Sequence, residues 1–296
     1  MIAHTVSSPI TFQGTGLHTG VEAQVCIRPA PQGHGLRFYR SSHQYIVAHH
    51  DHVVQTQYCT VLGWPDGSTL LTVEHLLAAL WSLNITDARI EVTGPEIPIL
   101  DGGCQEFCEK LSQALHPLKL PVTTWTLAKP VTVRNQESWI ILEPSHELSI
   151  HAEAFITPRL SHEYSYTHSP DDFVKHIAAA RTTSTEKVVK TIQSRGLAKG
   201  GSLENALVLD DHGRPLNPKG MKLSCEMARH KILDILGDLA LCGFENFHAH
   251  ITTYGPGHTL THKVREQLLQ IGKCRLLTMA WEKHEDYSWQ HHATGT

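Results

Sequence analysis

The spacing of apolar residues along this chain changes several times, and each change predicts a different kind of element. Residues 1–60 alternate short β-like runs with turns rich in Gly and Pro, a pattern typical of strands. From Thr72 to Asn84 the apolar residues recur every three or four positions, which predicts an amphipathic helix with Thr72 as its N-cap. A strand from Ala88 to Val92 and a helix from Gln105 to Ala114 complete a predicted α+β unit.

The same order of elements recurs in the second half of the chain. The stretch from His116 to Pro121 contains two prolines between periodic segments, and we interpret it as an interdomain linker. Beyond it, β-like runs at 132–142 and 148–155 precede a helical run at 171–180 and a long helix from about Ser224 to Cys242. The recurrence suggests that the two halves share one architecture.

Composition narrows the class of protein without choosing a function. With 41% hydrophobic and 18% charged residues the chain has the composition of a globular protein. A net charge of −4 gives no basic surplus, so we expect no nucleic-acid partner. No apolar run is long enough to span a bilayer, and the start lacks the features of a signal peptide. Seven Cys without a Cys-x-x-Cys pair indicate reduced thiols, and we expect a cytoplasmic monomer without stable membrane insertion.

Three acidic or imidazole side chains share one face of the long C-terminal helix. His230, Asp234 and Asp238 are spaced by four residues, and most of the other positions around them are apolar. A buried stripe of this kind is costly unless its members are paired with each other or bind a cation. A satisfied His–Asp hydrogen bond in the core and a metal site are both compatible with this segment alone.

A second pair, Glu74 and His75, lies in the first turn of the other predicted helix. The positive end of the helix dipole favours an ionised Glu and a neutral His that can bind a metal. Taken alone, this pair is better explained as a helix-capping pair at the surface. In combination, His75, His230 and Asp234 provide the three protein ligands of a catalytic zinc site, and Glu74 provides an adjacent base.

A third candidate, His258, follows a glycine turn, where loops commonly present catalytic groups. A lone histidine in a loop is usually only solvated. Asp238 is not needed as a metal ligand, however, and it could hold a protonated His258 in place as a general acid.

Seven ordered motifs spread over nearly the whole chain resemble one family, the zinc-dependent UDP-3-O-acyl-N-acetylglucosamine deacetylases of lipid A biosynthesis. The motifs are Gly14-Thr-Gly-Leu-His-Thr-Gly20, Thr72-Val-Glu-His-Leu-Leu-Ala-Ala-Leu80, Glu96-Ile-Pro-Ile-Leu-Asp-Gly102, Ala180-Arg-Thr182, Gly200-Gly-Ser-Leu-Glu-Asn-Ala206, Arg229-His-Lys-Ile-Leu-Asp234 and Gly257-His258. The resemblance implies an enzyme, an amidohydrolase that releases acetate and a free 2-amine from an acylated nucleotide sugar.

The resemblance also implies an α+β fold of two similar domains, each a β-sheet layered with helices, with the active site between them. The implied division is an N-terminal domain at 1–118, a linker at 119–127 and a C-terminal domain at 128–296 with a small β-α-β insert near 183–210. The implied roles are zinc binding by His75, His230 and Asp234, general base for Glu74, acid for His258 supported by Asp238, polarisation of the amide carbonyl by Thr182, and substrate binding by Lys231.

Three segments depart from the family pattern while the metal and acid–base residues do not. Thr183 to Lys187 is polar where the family has apolar residues that line an acyl-chain passage. The segments 154–158 and 102–103 also differ. We therefore hypothesise a preference for a shorter acyl chain, or a weaker dependence on its length.

Two other functions remain open at this stage. A zinc amidase acting on a different N-acylated amino sugar or nucleotide sugar would need the same chemical residues. A non-catalytic paralogue would keep the fold, but the presence of every expected catalytic residue disfavours it.

Overall fold

The first 121 residues combine three sheets with two helices. A computed structural model describes residues 1–157, 160–275 and 277–279 of the chain. The elements of this half are β1 (Ile2–Val6), β2 (Ile10–Thr15), β3 (Glu22–Pro29), β4 (Leu36–Tyr39), β5 (Tyr45–Val47), β6 (Val53–Gln55), β7 (Val61–Gly63), β8 (Thr69–Leu70), α1 (Glu74–Ser82), β9 (Ala88–Thr93), α2 (Gln105–Ser112) and β10 (Leu115–Pro121).

The main sheet of this half has the strand order β2-β3-β9-β4-β5. Its strands are antiparallel except for the parallel pair β4 and β9. Ala23, Val25 and Ile27 alternate with more exposed neighbours along β3, so one face of the sheet is buried. Strands β6, β7 and β8 form a separate small sheet.

Helix α1 begins at Glu74, one residue later than an N-cap at Thr72 predicts. Val73 occupies the N-cap position without a side-chain cap, so the prediction of Thr72 as N-cap is wrong. Thr72 has a left-handed backbone, with φ of 60°, and its hydroxyl donates instead to the buried carboxylate of Glu96 at 2.8 Å. A tertiary hydrogen bond has replaced the local one that the sequence pattern favoured.

The stretch interpreted as a linker forms regular strands. β10 pairs antiparallel with β1 at the N-terminus, and β11 (Thr124–Thr126) belongs to the main sheet of the second half. The chain therefore passes from the first half to the second between Pro121 and Thr124. The division into domains at 118 and 128 stays a prediction.

The second half contains one large sheet and a small one. Its remaining elements are β12 (Val131–Asn135), β13 (Ser138–Glu143), β14 (Leu148–Thr157), β15 (Leu160–Thr167), α3 (Pro170–His176), β16 (Thr182–Thr185), α4 (Glu186–Ser194), β17 (Ala206–Leu209), α5 (Glu226–Ala240), β18 (Asn246–Tyr254), α6 (His258–Arg275) and β19 (Leu277–Met279). Pro158, which ends one of the segments departing from the family pattern, and the chain after 279 lie outside the described residues.

Strand β18 is the centre of the large sheet. Along different parts of its length it pairs antiparallel with β13 and parallel with β14 and β11. β16, α4 and β17 form a separate parallel β-α-β unit. Helices and sheets combined in this way confirm the predicted α+β class.

Two helices, one from each half, pack against each other at the centre of the molecule. Every residue of α1 is buried, and Lys231 is the one residue of α5 that is not. Gly237 permits this contact, because a side chain there would collide with the backbone of Glu74. A continuous apolar core from both halves surrounds the pair. In the part of the chain that is described, no helix has the length and apolar character needed to cross a membrane.

Candidate metal centre and active site

The α1–α5 contact brings together the three predicted metal ligands. His75 projects from α1, while His230 and Asp234 lie one turn apart on α5. Asp234 Oδ1 lies 3.3 Å from His230 Nε2 and 3.9 Å from His75 Nε2. One ligand atom from each residue falls within 4.8 Å of the others, and all three residues are buried.

Backbone carbonyls orient both imidazoles of this triad. His75 Nδ1 donates to the carbonyl of Gly103 at 3.1 Å, and His230 Nδ1 donates to that of Ala180 at 3.0 Å. Since a carbonyl can only accept, each ring carries its proton on Nδ1. Both Nε2 lone pairs are thus free to bind a cation, which is the arrangement that metal-binding histidines commonly show.

The protonation states of the triad also suit a cation. Burial lowers the pKa of His75 to about 3, so its ring is neutral. Burial opposes ionisation of Asp234, but His230 and Lys231 more than offset it and hold the pKa of that carboxyl below its usual range. Asp234 Oδ2 accepts from Lys231 Nζ at 2.8 Å, whereas the buried Oδ1 has no hydrogen-bond partner.

An ionised, buried and unpartnered oxygen beside two imidazole lone pairs is costly as it stands. A divalent cation would satisfy it, and a set of two nitrogens and one oxygen matches zinc. The residues present therefore fit the metal that the sequence predicts.

A second cluster, His50, His262 and Glu266, has a similar spacing but different chemistry. His262 Nδ1 accepts from Arg265 Nη2 at 2.9 Å. The neutral ring therefore carries its proton on Nε2, and neither nitrogen of His262 has a free lone pair. Because this cluster is also partly exposed, the buried triad is the better candidate for a cation site.

Glu74, the predicted base, lies beside the triad at the start of α1. It is 2% exposed, and its Oε2 accepts from the backbone N–H of Thr60 at 3.1 Å. Burial raises the pKa of Glu74 to about 8, which outweighs the helix-dipole effect expected from the sequence. A cation at the neighbouring triad would stabilise the carboxylate and lower this pKa.

His258, the predicted acid, lies opposite Glu74 at the start of α6. Its Nε2 is 3.6 Å from Glu74 Oε1, and its Nδ1 donates to Asp238 Oδ2 at 2.9 Å. Burial alone would lower the pKa of His258, but the charges of Asp238 and Glu74 prevail and raise it to about 9. The imidazolium is therefore the stable form at neutral pH.

These groups line a cleft of about 370 Å³. Thr182 and Lys231, the two other predicted site residues, also line it. The ammonium group of Lys231 is paired with Asp234 Oδ2, the carboxylate oxygen of the triad that does not face the two imidazoles. The structure thus brings all eight predicted residues to one region, with Asp238 behind His258.

Several residues at the site had no role in the sequence analysis. His18 lines the cleft, is 4% exposed, and has no hydrogen-bond partner on either ring nitrogen. Its backbone N–H donates to Glu96 at 2.9 Å, and so does that of Thr19 at 2.8 Å. His18 and Thr19 belong to the motif that ends at Gly20, and Glu96 begins the motif that ends at Gly102. Neither motif indicates that the Glu96 carboxylate accepts hydrogen bonds from both backbone N–H groups.

Thr60 and Arg265 were also missed, because no local pattern marks them. Thr60 Oγ1 donates to Asp238 Oδ1 at 2.5 Å. Arg265 Nη1 lies 3.4 Å from the same oxygen. These contacts join residues far apart in the chain, so only the folded arrangement reveals them.

Comparison with known proteins gives one consistent family. The family model described as UDP-3-O-acyl N-acetylglycosamine deacetylase matches residues 3–270. A UDP-3-O-acyl-N-acetylglucosamine deacetylase of Geobacter sp. (strain M21) is 37% identical over 279 residues, covering 92% of this chain and 90% of the relative. A protein of the same name from Myxococcus xanthus (strain DK1622) is 36% identical and covers 91% of this chain and 87% of the relative. Another, from Campylobacter jejuni subsp. jejuni serotype O:2, is 34% identical and covers 90% of this chain and 91% of the relative.

Proposed function

This chain belongs to the UDP-3-O-acyl N-acetylglycosamine deacetylase family, and we propose that it removes the acetyl group from UDP-3-O-acyl-N-acetylglucosamine in lipid A biosynthesis. The observation that carries the proposal is the pairing of a cation-ready triad with Glu74 and a protonated His258 across one cleft. The reaction consumes one water molecule, breaks the amide C–N bond, and yields acetate and a free 2-amine.

We propose that His75, His230 and Asp234 hold a zinc ion. Bound there, zinc would supply Lewis-acid activation of water and of the amide carbonyl. The chain's own residues then have to position the substrate and move protons.

Glu74 is suited to accept a proton from the attacking water, because its carboxylate is buried at the cleft with one oxygen fixed by Thr60. His258 is suited to protonate the departing nitrogen through Nε2, because Asp238 holds the other ring nitrogen. His258 Nε2 lies 3.6 Å from Glu74 Oε1, a distance that supports one proton donor and one proton acceptor serving the same reacting centre. In this proposal neither side chain has to cross the cleft between the two proton transfers.

The remaining roles follow from position. Thr182 lines the cleft, and its hydroxyl is proposed to donate to the oxyanion that develops on the amide carbonyl. Lys231 is proposed to meet the anionic diphosphate, since its side chain is a quarter exposed at the cleft. A local cation suits a chain whose net charge is negative.

We also propose that the protein works in a reducing, cytoplasmic environment, as a monomer. Cys26, Cys59, Cys104, Cys108, Cys225 and Cys242 are all free thiols, as expected for such a compartment. Light scattering after size-exclusion chromatography tests the monomer.

The function is tested by following acetate release and the free amine by mass spectrometry. Purified zinc-loaded protein is incubated with UDP-3-O-acyl-N-acetylglucosamine, with UDP-N-acetylglucosamine, and with other N-acylated amino sugars. Release from the 3-O-acyl substrate by wild type, and not by Glu74→Gln, is expected. Faster release from another amide, or equal release by both proteins, would reject the assignment.

A further inference from the structure

Arg265 is a wholly buried arginine that lies outside the cleft. Its side chain is 0% exposed, and it is not among the residues that line the cleft. Burying a guanidinium without a counter-charge is costly. Among the residues that the structure describes, the carboxylate within ion-pair distance of Arg265 is that of Asp238.

Arg265 contacts the backbone and side chain of Asp238 through Nη1 and the ring of His262 through Nη2. Nη1 donates to the main-chain carbonyl of Asp238 at 3.0 Å and lies 3.4 Å from Asp238 Oδ1. Nη2 donates to His262 Nδ1 at 2.9 Å, which fixes the plane of the guanidinium. Asp238 Oδ2, the other carboxylate oxygen, accepts from His258 Nδ1 at 2.9 Å. Arg265 and His258 therefore bind opposite oxygens of one carboxylate.

The geometry points to Arg265 as a positioning residue that fixes the Asp238 carboxylate so that Oδ2 remains aimed at His258. This inference rests on the proposed function, in which His258 protonates the departing amine. Arg265 acts through Asp238 and contacts neither His258 nor the cleft.

The placement of these residues on helices supports this role. His258 and Arg265 are both on α6, two turns apart, while Asp238 is on α5. The hydrogen bond from Arg265 to the Asp238 main chain links α6 to α5, and the guanidinium charge lies 3.4 Å from Oδ1 of the Asp238 side chain. Without Arg265, the hydroxyl of Thr60 is left to hold Oδ1. That hydrogen bond is short, at 2.5 Å, but a neutral hydroxyl does not balance the charge of the carboxylate as the guanidinium 3.4 Å away does.

Four variants test the inference. Arg265→Met removes the charge and keeps most of the volume. Arg265→Lys restores a charge that can reach Asp238, and His262→Ala removes the contact that orients the guanidinium. Leu268→Ala is the control for stability, because Leu268 is fully buried on the same helix and has no polar group at the site.

Two readouts separate positioning from stability. The first is steady-state kinetics: Arg265→Met is expected to lower kcat about 10-fold to 100-fold with little change in KM, as for loss of a group that orients a functional side chain. Arg265→Lys is expected to recover part of this loss, and His262→Ala to show a smaller one. Leu268→Ala is expected to lower thermal stability while keeping kcat.

The second readout needs no turnover. In protein labelled with ¹⁵N-histidine, the His258 Nδ1 proton bound to Asp238 is expected as a downfield NMR resonance in wild type and Leu268→Ala. It is expected to broaden or shift in Arg265→Met and to return in part in Arg265→Lys. If Arg265→Met does not fold, the variants His262→Ala and Arg265→Lys still test the inference, with Leu268→Ala as the control.

The inference is overturned if Arg265→Met, or in its place His262→Ala, keeps both the wild-type kcat and the wild-type resonance. It is also overturned if Leu268→Ala reproduces the losses of the Arg265 variant. Failure of the proposed function looks different, because wild type would then release no acetate while the resonance still reports whether Arg265 holds Asp238.

Discussion

Gly237 of α5 lies directly against the backbone carbonyl of Glu74 in α1. In an ordinary exposed helix, replacing Gly by Ala stabilises by about 1 kcal/mol. Here we expect Gly237→Ala to destabilise the protein by about 1 to 3 kcal/mol, because the new methyl group must push the two helices apart. The same displacement separates His75 from His230, so zinc affinity should fall as well.

Chemical denaturation and zinc titration measure both effects of Gly237→Ala. Gly201→Ala is the matched control, since a Cβ there meets the Ala198 carbonyl at 3.3 Å, a contact that a small shift relieves. A Gly237→Ala protein as stable as wild type, with unchanged zinc affinity, would show that the helices are not held at this distance.

The triad predicts one zinc per chain. His75→Ala, His230→Ala and Asp234→Ala should each lower the bound metal, because each leaves two ligands where a structural or catalytic zinc site needs three or more from the protein. Metal analysis of the dialysed proteins gives the stoichiometry, and His250→Ala, on an exposed position of β18, serves as the control. Full zinc retention by all three variants would rule out this site.

The acid–base pair predicts a bell-shaped dependence of kcat/KM on pH. His258 must carry its proton, so activity should fall as pH rises through the pKa of this group, which Asp238 and Glu74 raise and which a bound cation would lower in part. Glu74 must be ionised, and a cation lowers its pKa, so the acidic limb should lie below pH 8.

Substitution of either group should reduce the rate without loss of the metal. Glu74→Ala and His258→Ala are each expected to lower turnover by about 10²-fold or more. Glu74→Ala should also abolish the acidic limb. A flat wild-type profile, in conditions where chemistry limits the rate, would contradict the pairing.

A buried ion pair predicts how stability depends on pH. Burial alone would raise the pKa of Glu226, but its hydrogen bonds with Arg181 prevail and lower it. The pair therefore stabilises the fold fully above the ordinary pKa of Glu, and this stabilisation is lost as pH falls through the lowered value.

Glu226→Gln leaves the Arg181 charge buried and should cost about 3 to 5 kcal/mol at neutral pH. Urea denaturation from pH 7 to pH 3 should show the gap from wild type narrowing at the acid end. Glu91→Gln, which breaks partly exposed pairs with Arg28 and Arg89, should cost about 0 to 1 kcal/mol. An equal cost for both variants at all pH values would refute the linkage.

The polar segment after Thr182 predicts a weak dependence on acyl length. Thr183 lines the cleft, Ile192 is buried inside the β-α-β unit, and Val188 is 45% exposed. A passage gains about 0.8 kcal/mol per methylene that it buries, so fewer apolar side chains facing the substrate mean less discrimination. Kinetics with a graded series of 3-O-acyl chains should show an early plateau in kcat/KM. A steep rise up to long chains would reject the hypothesis.

The sequence predicted the elements in which apolar residues recur at regular spacing, but it did not predict where those elements begin and end. The long helix expected from about Ser224 to Cys242 is α5, Glu226–Ala240, because its apolar face is marked in almost every turn. The N-cap at Thr72 failed because the backbone there is left-handed and the hydroxyl donates to Glu96, distant in the chain, and does not accept from a backbone N–H of α1. N-cap preferences describe only the residues next to the start of a helix, so they do not take account of a hydrogen-bond partner elsewhere in the chain.

The site shows the same division. Spacing on one helix places His230 and Asp234 on the same side, so that part follows from the sequence. Nothing local shows that the carbonyls of Gly103 and Ala180 orient the two imidazoles, or that Arg265 supports Asp238. Every residue has a backbone carbonyl, so the sequence does not mark the ones that orient a side chain. A single buried arginine produces no periodic pattern that would mark it either.

The backbone segments that orient the two imidazoles also bond to each other. Cys104 N–H donates to the Ala178 carbonyl at 2.8 Å, and Thr182 N–H donates to the Gly102 carbonyl at 2.8 Å. An alanine scan would hardly register this junction, because 178–180 are already alanine and the groups that matter belong to the main chain. Side chains in these two segments of this chain can therefore change without moving the carbonyls that orient the imidazoles, except at Gly102 and Gly103, where a Cβ would meet the backbone of Asn205 and Ala178. Amide-to-ester replacement at Cys104 or Thr182, by chemical synthesis, is the substitution to which this part of the enzyme would be sensitive.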